Sequence, residues 1–355
     1  MNALRDFRGE LLALDDFPDW DGRIADFPQK RIFHESVWLR FLEKDQRGRA
    51  VVIRLADAGG GERALWPGVV VRKGPVRIFG SPLRGWGTVA MGPLYHEVDS
   101  GGLLAAAEAA LVRAGIHHWE FVSESLPTEE ARERGYRLER SPTHRISLDP
   151  DEERMWEHLQ HRCRKSIRKA MKNGLTCRLA EDGRFLGDMY RMVLEVFSRS
   201  RITPSYDLGR LTRLWDTLQP RGNAFGMEVF LGERRLAAAL FLTDRRQIYG
   251  WSGASDSRFK PLCPNNLLYW ETMRHSAAIG ATHLHLPGAP GSSIGKFKAS
   301  FNPDILDYPF WILDRSRFLR LGRRLFKDMA GWRARLVYWV RRGGRIPKPE
   351  EKGRE

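Results

Sequence analysis

At 355 residues the chain is long for one hydrophobic core, and two domains of ordinary size plus a tail fit it better. A hydrophobic content of 42% with 12 tryptophans excludes a disordered polymer, and no run of about 18 apolar residues predicts a membrane-spanning helix. The formal charge of +15 implies an anionic partner: a membrane surface, a nucleic acid or a phosphorylated substrate.

In chain order, residues 1–30 read as an N-terminal leader broken by Pro18 and Pro28. Its apolar stretch carries acids, which is not the pattern of a signal peptide, so a cytoplasmic location is expected. Ser36 to Glu43 is predicted as a short helix, with Val51 to Leu55 and Ala64 to Val71 as strands around the Gly59-Gly60-Gly61 turn. Residues 75–95 give more strand and turn. Leu103 to Ala114 is an alanine-rich helix stopped by Gly115, and His117 to Val122 alternates as a strand. A boundary is expected near residue 145, with Ser141-Pro142 as linker. Next come a basic helix (Glu152 to Lys172) and helices at Phe185 to Ser198 and Tyr206 to Leu218. Gly226 to Leu231 and Leu236 to Thr243 are predicted as a hairpin turning at residues 232–235, followed by a strand at Gln247 to Ser252. Leu267 to Ile279 is a helix stopped by Gly280, and Thr282 to Leu286 alternates as a strand. This ending repeats the earlier one: AGIHHWEF at 114–121 matches IGATHLHL at 279–286 in helix end, glycine and histidine-bearing strand. Helices mixed with consecutive strands give an α/β class, α+β with a mixed sheet.

The segment after that last strand has the strongest chemical character. Pro287-Gly288 breaks the strand, and a Gly/Ser/Pro loop leads into Lys296-Phe297-Lys298 and Phe301. Permissive residues let a substrate approach the backbone, and loops on a rigid sheet carry function. The competing reading is a surface loop with solvated lysines. The basic helix sets Arg164, Arg168 and Lys172 at i, i+4 and i+8, with Lys165 and Lys169 beside them. Such like charges repel by a few tenths of a kcal/mol per pair, a cost that phosphate binding would offset; the alternative is a solvated face. His283 and His285 share a strand face, but no third ligand lies at metal spacing, so no metal is expected. Cys163, Cys177 and Cys263 are scattered, which suggests a reducing compartment and no disulfide framework.

Residues 264–301 resemble the hallmark region of the FemAB-like branch of the GNAT acyltransferase superfamily. The matching residues are Pro264, Asn265, Asn266, Leu267, Leu268, Trp270, Glu271, Gly280, Gly288, Gly295, Phe297, Lys298 and Phe301. HRCRKSIRKAMKNGLT at 161–176 is similar to the basic helix that opens the family's second domain, and GSPLRGWGTVAMGPLY at 80–95 to the first domain's Gly/Pro-rich strand pair. One departure is that the strand ending Phe-Asp-x-Gly-Gly in relatives ends here at Leu284-His285-Leu286-Pro287-Gly288, without the acid. The resemblance implies two tandem GNAT-like domains, at 31–145 and 146–314, and acyl transfer to an amine of a cell-envelope or polysaccharide precursor. It implies acyl-CoA or aminoacyl-tRNA as co-substrate and no tightly bound cofactor. By the same resemblance Phe297 stacks on the donor's terminal base and Lys298 stabilises charge on the reacting carbonyl, with Lys296 beside them. Arg258 and the amides near Asn265 and Asn266 would meet donor phosphates, although Pro261 and Cys263 stand where the acyl-CoA loop has small residues. Arg164, Lys165 and Arg168, with Arg201 and Tyr206 from the loop after residue 198, would hold the acceptor. A degenerate, non-catalytic membrane-associated or RNA-binding protein is the alternative.

Residues 315–355 form a basic tail. Between 315 and 345 lie ten arginines and Lys327 against Asp328, a balance of +10. Phe318, Leu321, Leu325, Met329, Trp332, Leu336 and Val340 make one helical stripe, which reads either as a docking surface on the second domain or as an amphipathic helix on the anionic inner face of the membrane.

Overall fold

The computed structural model describes residues 7–96, 100–123, 128–199, 203–288, 291 and 293–315. The tail beyond Arg315 and the candidate Arg201 lie outside them. The elements of the first half are β1 (Arg8–Ala13), α1 (Trp20–Arg23), α2 (Ser36–Asp45), β2 (Arg49–Ala56), β3 (Glu62–Lys73), β4 (Val76–Ser81), β5 (Leu94–Tyr95), α3 (Ser100–Arg113), β6 (His118–Val122), α4 (Thr128–Glu133) and β7 (Arg137–Ser147). Those of the second half are α5 (Glu152–His158), α6 (His161–Lys172), β8 (Leu175–Leu179), α7 (Phe185–Arg199), α8 (Leu208–Leu218), β9 (Ala224–Leu231), β10 (Arg234–Thr243), β11 (Gln247–Ser255), α9 (Pro264–Ala278), β12 (His283–Pro287), α10 (Ser293–Lys298) and β13 (Asp304–Asp314). Among the described residues no helix is long and apolar enough to cross a membrane.

One mixed sheet carries both halves in the order β1-β2-β3-β4-β6-β13-β7-β12-β11-β10-β9-β8, with β5 attached to β3. The halves repeat one motif. In each, an antiparallel meander ends in a strand that pairs in parallel with the strand after a crossover helix: β4 with β6, and β11 with β12. The crossover helices, α3 and α9, both stop at glycines with positive φ, Gly115 at 68° and Gly280 at 84°, where a side chain would strain the turn. The repeat noticed between residues 114–121 and 279–286 is therefore a topological equivalence. Two strands then cross between halves. β7 follows the first half but pairs with β12, and β13 follows the second but sits between β6 and β7.

Three sequence expectations change. Residues 8–24, expected in a leader, supply edge strand β1 and the buried Phe17, Trp20 and Ile24, because their apolar side chains complete the core over α2. Ser141-Pro142, expected as a linker, lies within β7, paired with Tyr308 and Asp307 of β13. The basic helix is two helices, because Leu159 and Gln160 are extended. Gln160 gives its backbone N–H to the Ser300 carbonyl (3.1 Å) and its side-chain amide to Ala299 (2.9 Å), so tertiary contacts with the segment after α10 replace a helical turn there.

Buried polar groups join the halves. Arg210 of α8 is 2.9 Å from Asp45 of α2 and donates to the Trp86 carbonyl at 2.7 Å. Both charged groups are buried; Asp45 is also 3.3 Å from Arg213, so removal of Asp45 is the change that would strand a buried charge, Arg210, at a cost of about 3–5 kcal/mol. His34 and His285 are buried too, and burial pushes both imidazoles down to about 3. They stay neutral in the folded protein but bind protons once unfolded below about pH 6.5. Stability is therefore lost as pH falls from about 6.5 toward 3, at up to ~1.4 kcal/mol per pH unit for each histidine. Thermal melts from about pH 7 to about pH 4.5 should show a falling Tm, and His285→Gln should flatten that slope. An unchanged slope in the variant would show that His285 titrates normally.

Candidate active site

The parallel pairing of β11 with β12 covers only Gln247–Tyr249 against His283–His285. Beyond it the strands part. β12 continues on β7, pairing Leu286 with His144 and Pro287 with Thr143. β11 continues on β10 through an irregularity between Leu240 and Phe241, opposite Ser252 and Gly250, which leaves Trp251 as the extra residue of a bulge. His285 fixes the point of divergence: its ring stacks on Tyr249 at 4.8 Å and its Nε2 bonds Gln247 Oε1 at 2.6 Å.

A cavity of about 580 Å³ fills this opening. The second half contributes Tyr206, Trp251, Tyr269 and Lys298, the exchanged strands contribute Thr143, Tyr308 and Phe310, and the first half closes it with the loop 83–89. Gly87 lets that loop press onto Trp251, since a Cβ there would lie 2.8 Å from the indole nitrogen. The lining includes eight aromatic side chains and, among the described residues, contains no carboxylate. Two cations reach it. Arg84 is neutralised by Glu139 at 2.6 Å and lies 4.8 Å over Phe310. Lys298 makes no ion pair among the described residues; its Nζ donates to the Pro287 carbonyl at 2.5 Å, and its residue is only 7% exposed. Burial lowers its ammonium from 10.5 to about 8. That depression corresponds to roughly 3 kcal/mol of stability forgone at neutral pH, recovered as pH rises from about 8 toward 10.5. Gly288, at φ 134°, keeps the strand end open: a Cβ would sit 3.4 Å from the ammonium.

The sequence candidates fare unequally. Lys298 and Tyr206 meet in the cavity, where the Tyr206 hydroxyl lies 2.8 Å from Ser252 Oγ. Phe297 is not in the lining; its partly buried ring packs at 5.7 Å on Tyr269 and 5.4 Å on Phe301. Lys296 is exposed, and its carbonyl accepts from Arg162 at 3.2 Å. Arg258 is bonded to Asp256 at 2.9 and 2.6 Å, so that carboxylate partly neutralises its charge. Asn265 lies in the first turn of α9, and Asn266 reaches Cys163 Sγ at 3.7 Å. On α6, Arg164 donates to the Glu157 carbonyl at 3.0 Å, Arg168 lies 5.2 Å over Trp156, and Lys165 is exposed. This basic face adjoins α10 through Arg162 and Lys296. Sequence reasoning missed Trp251, Thr143, Tyr308 and Phe310. The first lies on a bulge that alternation does not announce, and the others on strands brought there only by the exchange.

Residues 157–297 match the family model of the acetyltransferase (GNAT) domain. FemX superposes with a TM-score of 0.65 at 14% identity, over 84% of this chain and 96% of its own. L-PGS from Bacillus licheniformis gives 0.53 at 14% identity, over 90% and 98%. A tandem GNAT protein from the clavulanic acid biosynthesis pathway gives 0.53 at 11% identity, over 88% and 99%. A search of the curated proteins finds no sequence match. The fold is that of tandem GNAT proteins, with the GNAT domain match in the second half. Residues 157–297 thus carry a GNAT acetyltransferase domain, on a fold shared with FemX and with tandem GNAT proteins.

We propose that Lys298 stabilises the charge that develops on the reacting carbonyl, and this has a definite consequence. Lys298→Met should fold with an unchanged or higher Tm, since it removes a buried ammonium, and should lose about 10²–10³ in kcat, the usual cost of one oxyanion donor. Lys298→Arg, charged at all working pH, should lack the fall in rate expected of the wild type above about pH 8. A Met variant within about threefold of wild type would remove Lys298 from the chemistry.

Proposed function

We propose that the protein transfers an aminoacyl group from an aminoacyl-tRNA to a primary amine on a cell-envelope or polysaccharide precursor. The observation that carries this reading is the buried Lys298 ammonium in an aromatic cavity whose described lining has no carboxylate. Attack of a neutral amine on the donor ester forms a C–N bond and moves charge onto the carbonyl oxygen, where a positioned ammonium in a water-poor site is effective. The ester C–O bond then breaks, and the departing ribose alkoxide takes the proton released by the amine. The step balances without a general base from this chain.

The choice of aminoacyl-tRNA over acyl-CoA is supported by the loop before α9. Pro261 and Pro264 offer no amide, Cys263 N–H is spent on Lys260 and Asn266 N–H on Cys263, so few backbone donors are left for a pyrophosphate. Mass spectrometry of precursors incubated with protein and either charged tRNA or acetyl-CoA tests the choice. Modification with acetyl-CoA alone would overturn it.

The basic face of α6, beside α10, suits the phosphates of a substrate. Lys165→Glu with Lys169→Glu alters exposed side chains that make no ion pair among the described residues. The pair should raise KM at least tenfold, more steeply at low salt, with little change in Tm. Reversal without effect on KM would leave α6 as a solvated face.

Residues 315–345, outside the described residues apart from Arg315, we assign to the anionic inner face of the membrane, on their charge of +10 and apolar stripe. Flotation with anionic liposomes should capture the full chain and not residues 1–314. Equal flotation of both would refute that assignment.

A further inference from the structure

A second groove, of about 580 Å³, lies at the other end of the first half and has no part in the chemistry above. Helix α3 covers one face of β2, β3 and β4, burying Val51, Val70 and Phe79. The strands run past the end of that helix, and side chains two apart on a strand share a face. The residues that continue the covered stripe into the uncovered region are Arg49, Arg72 and Arg77, each two positions from one of those apolar residues. Arg72 and Arg77 stand directly opposite in the β3–β4 ladder, an arrangement that like charges make unfavourable. Arg47 enters from the turn before β2, in a left-handed conformation with φ 50°.

None of the four arginines makes an ion pair among the described residues. Most other arginines of the first half do pair: Arg23 with Glu62, Arg54 with Glu10, Arg63 with Asp57 and Arg84 with Glu139. The one carboxylate among the described lining residues, Asp16, accepts from the Ala13 N–H at 2.8 Å. Arg77 is held in place: its Nη1 donates to the Ala114 carbonyl at 2.6 Å, while its Nε is buried without a partner among the described residues. Adjacent strands lie about 4.8 Å apart, so guanidinium forks on neighbouring strands can share one phosphoryl group or clasp two linked ones.

We propose that this groove binds a compact oligophosphate, a di- or triphosphate group carried by a small molecule. Its shape favours that occupant over a bilayer: β1 and the end of α3 wall it, and no exposed large hydrophobic side chain lines it.

Calorimetry of the full chain with sodium tripolyphosphate tests the proposal. Wild type should bind with an affinity that falls steeply with salt, and Arg72→Gln with Arg77→Gln should weaken it at least tenfold. Because that double change lies in a ladder, Arg47→Gln with Arg49→Gln, at exposed positions before and at the start of β2, gives an independent variant with the same expectation. Arg221→Gln with Arg246→Gln, at exposed positions of the second half, should leave the affinity within about twofold. Affinity unchanged in both groove variants, or lost equally in the second-half variant, would overturn the proposal. So would anionic vesicles that float the protein through these arginines while tripolyphosphate fails to compete.

Discussion

The exchange of β7 and β13 at the centre of the sheet is the constraint on which the rest of this structure depends. Each strand is delivered by one half and hydrogen-bonded in the neighbourhood of the other. Nine paired positions between them, from Asp304–Arg145 to Ile312–Arg137, join two repeats into one sheet. The cavity follows from that join. β7 continues the ladder of β12 after β11 has turned away, so Thr143 and Pro287 form one wall and the bulged Trp251 the other. A single repeat would have the opening but not Tyr308, Phe310 or the loop 83–89 that close it.

Within that enclosure the balance of charge is unusual for so basic a protein. The cavity is reached by a guanidinium already neutralised by Glu139 and by an ammonium whose partner, among the described residues, is a carbonyl. Burial of an uncompensated lysine is unfavourable, and the fold tolerates it at the end of a strand where Gly288 leaves room. The same desolvation that lowers the ammonium strengthens its field on any charge that develops beside it. Stability and reactivity are therefore set in opposition at one atom, Lys298 Nζ.

Elsewhere the excess of arginine is sorted by partners. Arg210 is buried against Asp45 and holds the loop that roofs the cavity. Arg258 is partly neutralised by Asp256, and Arg168 lies over Trp156. Guanidiniums left without carboxylates gather at the end of β2, β3 and β4, where the covering helix stops and charge faces water. Which arginines are spent and which remain available is a property of packing, and net charge alone does not reveal it.

Much of the architecture is legible in the chain. Alternation and glycine stops predict β2, β3, β6, β10, β11 and β12 and the helices α2, α3, α7 and α9 to within a few residues, because these are local preferences of apolar period and positive φ. Lys298, just past a strand broken by Pro287-Gly288, is likewise local. The edge strand β1, the strand through Ser141-Pro142 and the break at Leu159-Gln160 are not, since each is decided by a partner more than a hundred residues away or by the shared core. Phe297 and Arg258 carry the right residue types, yet one packs against the core and the other closes on its own neighbour. By itself the sequence determined the repeat, the crossover helices and the lysine at the strand end, through period and turn chemistry. Only the tertiary structure decided which side chains share a cavity, because burial, bulges and strand exchange act between segments that no local pattern connects.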